Sequence, residues 1–385
     1  MPFVVPVREQ KAVVRMGVSS RAALGLVAAL CAAVGCGSVT PAGSPDGGAG
    51  GSQMQDAPSA EAPPPADAPA AETPPSENRI VEACAAVAKA ACDKRVSCSD
   101  GVNAAGVGVI RAFGTMAECL VRQALLCSSA FRAPGSGHSL ATEQECVTAF
   151  ATYSCADFFA DNAPSICQPS GARVNGAACA FAAQCKSGFC TGEKNALCGT
   201  CAPAPAVGAS CAASDCGRGQ ICDATTVTCK APGVAGDACD SGDDCGYALV
   251  CGGGSGTAGG ARTCQTTVSK LGAPCGGTMP VCDGAEGLFC AGAMGAKTCT
   301  ATTFVGAGMP CGVLSQDALA ACTAGLCYAA KGLVGQGETG ACKANAAEGV
   351  ACDTVLGPAC EVPARCILSG NGTAGTCRLP NGTCN

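Results

Sequence analysis

The spacing of cysteines is the feature that most constrains the fold of this chain. From residue 171 onward a Gly-x-x-Cys motif followed by three further cysteines recurs six times, at intervals of roughly 28 to 40 residues. This repetition predicts six small units of one design, each closed by two disulfides. The six sets are Cys179, Cys185, Cys190 and Cys198; Cys211, Cys216, Cys222 and Cys229; Cys239, Cys245, Cys251 and Cys264; Cys275, Cys282, Cys290 and Cys299; Cys311, Cys322, Cys327 and Cys342; and Cys352, Cys360, Cys366 and Cys377.

Composition explains why such units need crosslinks. The chain has 36 cysteines in 385 residues, but only 10 Phe, 3 Tyr and no Trp. Burying one large apolar side chain returns about 1.5 to 3 kcal/mol, so a unit with few such side chains recovers little of the conformational entropy that it loses on folding. A bridge that closes a loop of about a dozen residues adds roughly 3 kcal/mol by restricting the unfolded chain. We therefore expect disulfides to stabilise the repeats, which should unfold on reduction.

The sequence leaves the disulfide pairing open, because four cysteines allow three connectivities. We favour first with third and second with fourth, since interlaced bridges compact a short chain best. Cys201 and Cys384 fall outside the six sets. Length varies most between the last two cysteines of a unit, where residues 252–260 are inserted once, and this tolerance indicates an exposed loop.

The N-terminal segment has the pattern of an export signal. Arg21 precedes the apolar run 22–34, which is too short to span a bilayer and is typical of a signal peptide. Residues 1–35 are therefore predicted to be a signal peptide, and Met16 offers an alternative start. The sequence Ala33-Val34-Gly35-Cys36 resembles a bacterial lipobox, which implies cleavage before Cys36 and lipidation of that cysteine. Ordinary signal cleavage nearby is the alternative.

Charge argues against two classes of partner. Without residues 1–35 the chain loses four basic residues and one acidic residue, and its net charge becomes −9. Binding to nucleic acid or to an anionic membrane surface needs clustered Lys and Arg. We expect no nucleic-acid partner, no cofactor, and membrane contact through the lipid anchor only.

Two regions separate the anchor from the repeats. Residues 36–76 carry the lipidated cysteine and a Pro-, Ala-, Gly- and acid-rich linker that we predict to be disordered. Residues 77–170 carry helical signals: an apolar face at Ile80, Cys84, Val87 and Ala91, and capping boxes at Thr115 and Thr142. Ser154 is a further candidate N-cap.

The helical region is also rich in cysteine. We predict a small all-α, disulfide-stapled domain at 77–170 with about four bridges, followed at 171–385 by disulfide-rich repeats with little regular secondary structure. The eight cysteines of the helical region are Cys84, Cys92, Cys98, Cys119, Cys127, Cys146, Cys155 and Cys167.

The cysteine spacing carries a family resemblance. The segments from Cys211 to Cys222 and from Cys179 to Cys190 share the pattern C-x4–5-C-x-x-G-x1–2-C, which resembles the start of the Dickkopf N-terminal cysteine-rich domain. The whole chain is similar to the cysteine-rich lipoproteins of predatory and social soil bacteria. The resemblance implies a scaffold and names no partner, because the shared residues are mostly cysteine and glycine. It does not imply Wnt-pathway signalling.

Few residues suggest chemistry. Cys198-Gly-Thr-Cys201 is the single C-x-x-C pair and is expected to be structural; redox or metal binding is the alternative. The only histidine, His138, is expected to be exposed in a loop, which disfavours histidine-dependent hydrolysis and zinc catalysis. The match to G-x-G-x-x-G at 254–259 lacks a flanking strand and helix. The acidic groups at 240–244 and at 157–161 are expected to be solvated surface, with calcium binding as the alternative for 240–244.

Three functional hypotheses remain open. We favour a non-enzymatic, extracytoplasmic lipoprotein, anchored to the outer membrane or secreted, that acts as a binding or structural module for a protein or envelope component. The second hypothesis is a secreted hydrolase inhibitor whose bridged loops enter an active site. The third is a thiol-based metal binder, against which the scarcity of C-x-x-C and C-x-C clusters weighs.

Overall fold

The computed structural model describes residues 75–99, 106–191, 196–212, 216–223, 225–240, 244–252, 262–276, 279–293, 295–335 and 337–384. These residues belong to one compact unit. The predicted signal peptide, Cys36, the linker up to residue 74 and most of the glycine-rich loop at 252–260 lie outside the described residues.

Five helices form the first part of the described chain. In the first helix, Glu77–Ser97, the predicted apolar face is confirmed, because Ile80, Cys84, Val87 and Ala91 are all buried. The helices are α1 (Glu77–Ser97), α2 (Val107–Phe113), α3 (Met116–Phe131), α4 (Leu140–Phe150) and α5 (Cys155–Phe159), and a short 3-10 turn follows at Ser165–Cys167.

Two of the three predicted N-caps are confirmed and one is wrong. Thr115 caps α3 and accepts a hydrogen bond from Glu118 N at 3.1 Å, and Ser154 caps α5 through Asp157 N at 3.0 Å. The prediction for Thr142 is wrong: Ser139 is the N-cap of α4, and Thr142 is the N3 residue of that capping box. Ser139 and Thr142 both have side chains able to cap, and the backbone conformation decides that the helix begins three residues earlier.

Four disulfides staple the helices to one another. They join Cys84 with Cys127, Cys92 with Cys119, Cys98 with Cys155, and Cys146 with Cys167. The first two link α1 to α3, and the third links the end of α1 to α5. The apolar core between the helices is built from these cystines and a modest number of larger residues, among them Ile80, Leu126, Phe150, Tyr153 and Phe158.

The remainder of the described chain consists of six repeats, each running from its motif glycine to its fourth cysteine. They are repeat 1 (176–201), repeat 2 (208–229), repeat 3 (236–264), repeat 4 (272–299), repeat 5 (308–342) and repeat 6 (349–377). In every repeat the third and fourth cysteines lie opposite each other in an antiparallel hairpin: Cys190 with Cys201, Cys222 with Cys229, Cys251 with Cys264, Cys290 with Cys299, Cys327 with Cys342, and Cys366 with Cys377.

The strands are short, as expected. Repeat 5 contributes most of a six-stranded sheet, whose strands lie in the order Thr303–Val305, Ala318–Cys322, Pro310–Ser315, Thr339–Ala344, Gly325–Ala329 and Gly332–Leu333, and the other sheets have two or three strands. The strands are β1 (Ala178–Cys179), β2 (Cys190–Thr191), β3 (Gly199–Cys201), β4 (Ile221–Asp223), β5 (Thr228–Lys230), β6 (Leu249–Gly252), β7 (Thr263–Val268), β8 (Val281–Cys282), β9 (Leu288–Ala291), β10 (Thr298–Ala301), β11 (Thr303–Val305), β12 (Pro310–Ser315), β13 (Ala318–Cys322), β14 (Gly325–Ala329), β15 (Gly332–Leu333), β16 (Thr339–Ala344), β17 (Ala351–Asp353), β18 (Arg365–Leu368) and β19 (Ala374–Arg378).

The motif glycine has the same role in all six repeats. It is the third residue of a β-turn and has a φ between 76° and 95°, a region that glycine enters without strain. A Cβ atom at any of the six positions would meet nothing within 4 Å, so the requirement is conformational and not spatial. The six glycines are Gly176, Gly208, Gly236, Gly272, Gly308 and Gly349.

The fourth cysteine clamps this turn through its backbone. In repeat 2, Gly208 N donates to Cys229 O at 2.7 Å and Cys229 N donates to Ala209 O at 2.8 Å. The same two hydrogen bonds recur in the other five repeats, at 2.8 to 2.9 Å. We call this pair of hydrogen bonds the turn clamp. It holds the first cysteine, two residues after the turn, beside the hairpin that carries the third and fourth.

The disulfide pairing in the repeats is first with third and second with fourth. Repeats 2 to 6 contain the pairs Cys211–Cys222 and Cys216–Cys229, Cys239–Cys251 and Cys245–Cys264, Cys275–Cys290 and Cys282–Cys299, Cys311–Cys327 and Cys322–Cys342, and Cys352–Cys366 and Cys360–Cys377. This is the interlaced connectivity favoured from the sequence.

The prediction that Cys198 is the fourth cysteine of repeat 1 is wrong. Cys179 pairs with Cys190, but Cys185 pairs with Cys201, and Cys198 pairs with Cys384. Cys198 is therefore not part of the repeat framework. The hairpin register makes Cys201 the fourth cysteine of the repeat, because Cys201 lies opposite Cys190. The Cys201 carbonyl also accepts the hydrogen bond from Gly176 N at 2.8 Å.

Repeats 1 to 3 pack against the helical segment. Gln184 of repeat 1 donates to Pro134 O at 3.0 Å. Repeat 2 reaches the 3-10 turn through Arg218. In repeat 3, Tyr247 donates its hydroxyl to Cys98 O at 2.8 Å and stacks on Phe159, with the ring centroids 5.1 Å apart. Each repeat contacts a different part of the helical segment.

Repeats 5 and 6 continue this arrangement. Phe304, just before repeat 5, lies under the Arg111 guanidinium, and Ala324 N donates to Ile110 O at 3.0 Å. Glu361 of repeat 6 forms an ion pair with Arg122 on α3. Repeats 5 and 6 therefore contact the helical segment at α2 and α3.

The end of the array returns to its beginning. Arg365 of repeat 6 donates to Ala196 O and Ala180 O at 3.0 and 3.2 Å. The Cys198–Cys384 disulfide then joins residues 186 positions apart. The repeats with their C-terminal segment thus form a covalently closed ring, and repeats 1, 2, 3, 5 and 6 contact the helical segment.

Gln184 holds the point of closure. Its side chain is fully buried, and its Oε1 accepts from Ala180 N and Phe181 N at 2.7 and 3.1 Å. Its Nε2 donates to Pro134 O and to Gly382 O at 2.9 Å. One amide thus joins the helical segment, repeat 1 and the C-terminal segment.

The conformation of the motif turn predicts that replacing two of its glycines by alanine will have different effects on stability. Gly308→Ala should destabilise the protein by about 1 kcal/mol, because alanine is strained at its φ of 81°. Gly306→Ala, at the first position of the same turn and with equally open space, should change stability by less than about 0.5 kcal/mol. Denaturant unfolding of the oxidised protein gives both values, and equal effects would contradict the conformational explanation.

Gln184 provides a second test. Gln184→Met keeps the volume but leaves buried amides and carbonyls without partners, so we expect a loss of at least about 2 kcal/mol. Gln220→Met is the matched control, because Gln220 is only half-buried and donates one 3.3 Å bond to Pro205 O. Urea midpoints measure the difference, and similar values for the two variants would exclude the closing role of Gln184.

Candidate functional site

The two cysteines of Cys198-Gly-Thr-Cys201 do not form a dithiol with each other. Cys198 is crosslinked to the C-terminal segment and Cys201 to Cys185. In the described part of the chain every cysteine from Cys84 to Cys384 belongs to a disulfide. The sulfur atoms of the two bridges in a repeat lie close together, as for Cys179, Cys185 and Cys201, which are within 4.8 Å of one another. Such a cluster offers metal ligands only after reduction, because thiolates and not cystines bind metal.

His138 is not exposed, contrary to expectation. Its side chain is 1% exposed, and Nδ1 contacts the carboxylate of Glu143, which is equally buried. Phe131 stacks on the imidazole, with the ring centroids 6.4 Å apart. The pair ties the loop before α4 to that helix. The polar loop before the histidine, Gly135-Ser136-Gly137, gives no sequence signal of burial, since the covering groups come from α3 and α4.

The burial of Arg95 is a second feature that the sequence did not predict. Arg95 on α1 lies between the rings of Phe113 and Phe158, with its guanidinium carbon 5.6 and 5.4 Å from the two ring centroids. Burial lowers the pKa of Arg95 to about 10, so the side chain remains charged at neutral pH. The guanidinium thereby connects α1, α2 and α5 through cation–π contacts. In a charged stretch of helix such an arginine looks like a surface residue.

The acidic group around Asp244 is part of an ion-pair network. Lys230 lies between Asp223 and Asp244, at 2.7 and 2.9 Å. Asp244 is buried and accepts from Asp240 N at 2.9 Å. Asp243 lies outside the described residues. Of this acidic group, Asp240 and Asp244 are described and both have hydrogen-bond or ion-pair partners. The expectation of a purely solvated surface is wrong for Asp244, which is buried.

Asp223 illustrates a turn that recurs in the repeats. The aspartate accepts from Thr225 N and Thr226 N at 2.8 and 3.0 Å, and Asp283 and Asp353 accept from backbone amides in the same way. The hydrogen bond from Lys230 and those from the two threonine amides lower the pKa of Asp223 to about 2. Each of these aspartates directly follows a cysteine, and together they shape the loops between bridges.

The turns of the six repeats share an exposed apolar residue. One side chain in each four-residue turn is aliphatic and between 49% and 66% exposed. Single exposed apolar residues are ordinary on protein surfaces, but here each of six equivalent turns presents one, at the first, second or fourth position of the turn. These residues, which we call the turn aliphatics, are Val174, Val207, Val234, Leu271, Met309 and Val350.

An open groove lies where the ring closes. Ser129 of α3, Leu197 of repeat 1, and Glu348, Arg378 and Asn381 around repeat 6 line a cavity of about 760 Å³. The groove is lined by charges of both signs and by apolar side chains such as Leu197. Its walls come from three parts of the chain: α3, repeat 1 and the region around repeat 6.

Comparison with known proteins adds no relative: no family model, no curated protein and no solved structure matches this chain. Within the residues that the structure describes, no helix has the length and apolarity to cross a membrane. The number of disulfides indicates an oxidising, extracytoplasmic environment.

The Asp223 network predicts a pH dependence of stability. The folded pKa of about 2 lies below the ordinary value of 3.8, so the charged carboxylate stabilises the fold above pH 4, and this contribution is lost as the pH falls through 2. Asp223→Asn keeps a turn acceptor but removes the charge. Its melting temperature should be below that of the natural chain at pH 6, and the two should converge near pH 2. A constant difference across this range would exclude the ionic contribution.

Proposed function

We propose that this protein is a non-enzymatic binding module of the cell envelope, and that its partner contacts the turn aliphatics. The observation that carries the proposal is the series itself: six equivalent turns, each fixed by a turn clamp and two disulfides, present one exposed aliphatic side chain. Rigid turns lose little conformational entropy when they bind, because the bridges have already fixed them. A protein surface with matching small apolar pockets is the partner that this chemistry fits.

The location forms part of the same proposal. Residues 1–35 act as a signal peptide, Cys36 carries lipid, and the acidic linker separates the anchor from the folded ring. The resemblance to bacterial cysteine-rich lipoproteins and to Dickkopf-type cysteine spacing supports this assignment. In this arrangement the helical segment 77–170 is the hub on which the repeats are mounted. The high disulfide content suits an exposed, protease-rich setting.

A secreted hydrolase inhibitor is the alternative from another class. Its bridged loops would occupy an active site, as disulfide-rich inhibitors do. Incubation with a panel of proteases separates the two proposals. Stoichiometric inhibition supports the inhibitor, whereas slow digestion without inhibition supports the binding module. Metal binding by thiolates is less favoured, because the cysteines from Cys84 to Cys384 are paired.

Lipidation is tested by blocking it. Globomycin should cause the precursor to accumulate, and Cys36→Ala should shift the protein from the membrane fraction to the soluble fraction. An unchanged precursor, or equal membrane association of the variant, would contradict the anchor. The alternative start at Met16 is distinguished by the mass of the precursor.

The binding surface is tested by changing all six turn aliphatics to serine. The folded ring should persist, because these side chains are exposed and the clamp uses backbone atoms only. We expect a photo-crosslinker placed at Glu348, in the turn that also contains Val350, to give one discrete envelope adduct with the natural surface, and we expect this adduct to be lost in the six-serine variant.

The matched control replaces exposed apolar residues elsewhere. Val81 and Val121 lie on α1 and α3 and are 51% and 60% exposed. Val81→Ser with Val121→Ser should leave the adduct intact. Loss of the adduct in this control, or its persistence in the six-serine variant, would contradict binding through the turns.

A further inference from the structure

One disulfide differs from the others by what it connects. Among the described bridges, four join helical elements or the 3-10 turn, and twelve lie inside single repeats. Cys198–Cys384 alone ties one repeat to a segment outside the repeats, across 186 positions of sequence. It closes the ring, whereas the repeat frameworks are complete without it.

The same bridge also differs in accessibility. Cys198 is the one exposed half-cystine in the described part of the chain; all the others are buried or half-buried. Thiol–disulfide exchange needs a thiolate to approach a sulfur atom from solvent. Cys384, at 5% exposure, is covered, so attack is directed at Cys198 and Cys384 is the leaving group.

The bridge holds down a short apolar strap. Residues 379–384, which we call the C-terminal strap, have no assigned helix or strand. Pro380, Gly382 and Cys384 are buried and alternate with exposed residues. Cys384 belongs to the main apolar cluster, and Gly382 lies against Ala133 and Phe181.

Non-covalent contacts on the strap are few. Gln184 Nε2 donates to Gly382 O at 2.9 Å, and Arg173 donates to Cys384 O at 3.2 Å. Both are single hydrogen bonds between a side chain and a backbone carbonyl. Hydrogen bonds of this kind are far weaker than a covalent bond. The covalent bond is therefore the main restraint on the strap.

We propose that Cys198–Cys384 is an exchange site for a dithiol oxidoreductase, and that its reduction releases the C-terminal strap and uncovers the apolar surface around Phe181. This proposal is independent of the function assigned to the turn aliphatics. The partner is a protein with two neighbouring thiols of the C-x-x-C type.

The chemistry proceeds in two exchanges. A thiolate of the dithiol attacks Sγ of Cys198, forms a mixed disulfide with it, and displaces Cys384 as a thiolate that takes up a proton. The second thiol of the partner then attacks the partner's first sulfur, which is bonded to Cys198 in the mixed disulfide. This forms the partner's disulfide and releases Cys198 as a thiol. Two electrons and two protons pass to the bridge, and the partner becomes a disulfide.

The test is graded reduction of the native, folded protein. Dithiothreitol, and separately thioredoxin with its reductase, are applied in increasing amounts, free thiols are alkylated, and labelled peptides are identified by mass. We expect Cys198 and Cys384 to be labelled at a reductant concentration at least about tenfold below that required for any other pair. Equal or earlier labelling of another pair, or labelling of all cysteines together, would overturn the proposal.

The release of the strap is measured in the same samples. Carboxypeptidase should remove the last residues once Cys198 and Cys384 are reduced, and binding of an apolar fluorescent dye should rise. If the strap stays protected after selective reduction, the exchange site stands but the switch is excluded.

Two variants sharpen the test. Cys198→Ser with Cys384→Ser should show carboxypeptidase trimming without any reductant. Cys211→Ser with Cys222→Ser, which removes a bridge inside repeat 2, should not. If the first variant does not fold, the graded reduction of the natural protein still decides the proposal.

Discussion

The turn clamp is the interaction on which the repeats depend. Two backbone hydrogen bonds join the motif turn to the fourth cysteine, and this brings the first cysteine beside the hairpin that holds the third and fourth. Directly opposed residues in an antiparallel pair project from the same face, so the third and fourth cysteines both point toward the first and second. The interlaced bridges follow from this geometry, and a repeat needs very little apolar volume.

Closure of the ring converts six small units into one body. Each repeat by itself buries few large side chains, and its sulfur atoms form most of its core, as in the cluster of Cys239, Cys245, Cys251 and Cys264. Packing against the helices supplies what the repeats lack: Tyr247 on Phe159, Phe304 under Arg111, and Glu361 on Arg122. The frame leaves the turns exposed on the surface, which is the arrangement that the proposed binding function requires.

The helical segment is likewise stabilised by cystines and by paired buried polar groups. Arg95 lies between two aromatic rings, and His138 pairs with Glu143 beneath α3 and α4. Buried charged or polar groups are costly unless they are paired, and here the cystines and neighbouring groups hold the partners in place. The aromatic series Phe150, Tyr153, Phe158 and Phe159 continues to Tyr247 of repeat 3. Helices and repeats therefore share a core.

The sequence by itself determined the features that rest on local spacing. The six Gly-x-x-Cys units, the buried face of α1 and the caps at Thr115 and Ser154 all arise within a few residues, so their physics can be inferred from the chain. Only the tertiary structure decided which cysteine completes repeat 1, because Cys198 and Cys201 differ by hairpin register and by a partner 186 positions away. It also decided the burial of His138 and Arg95 and the closure through Gln184. These depend on groups distant in sequence, and no local pattern records which groups will meet.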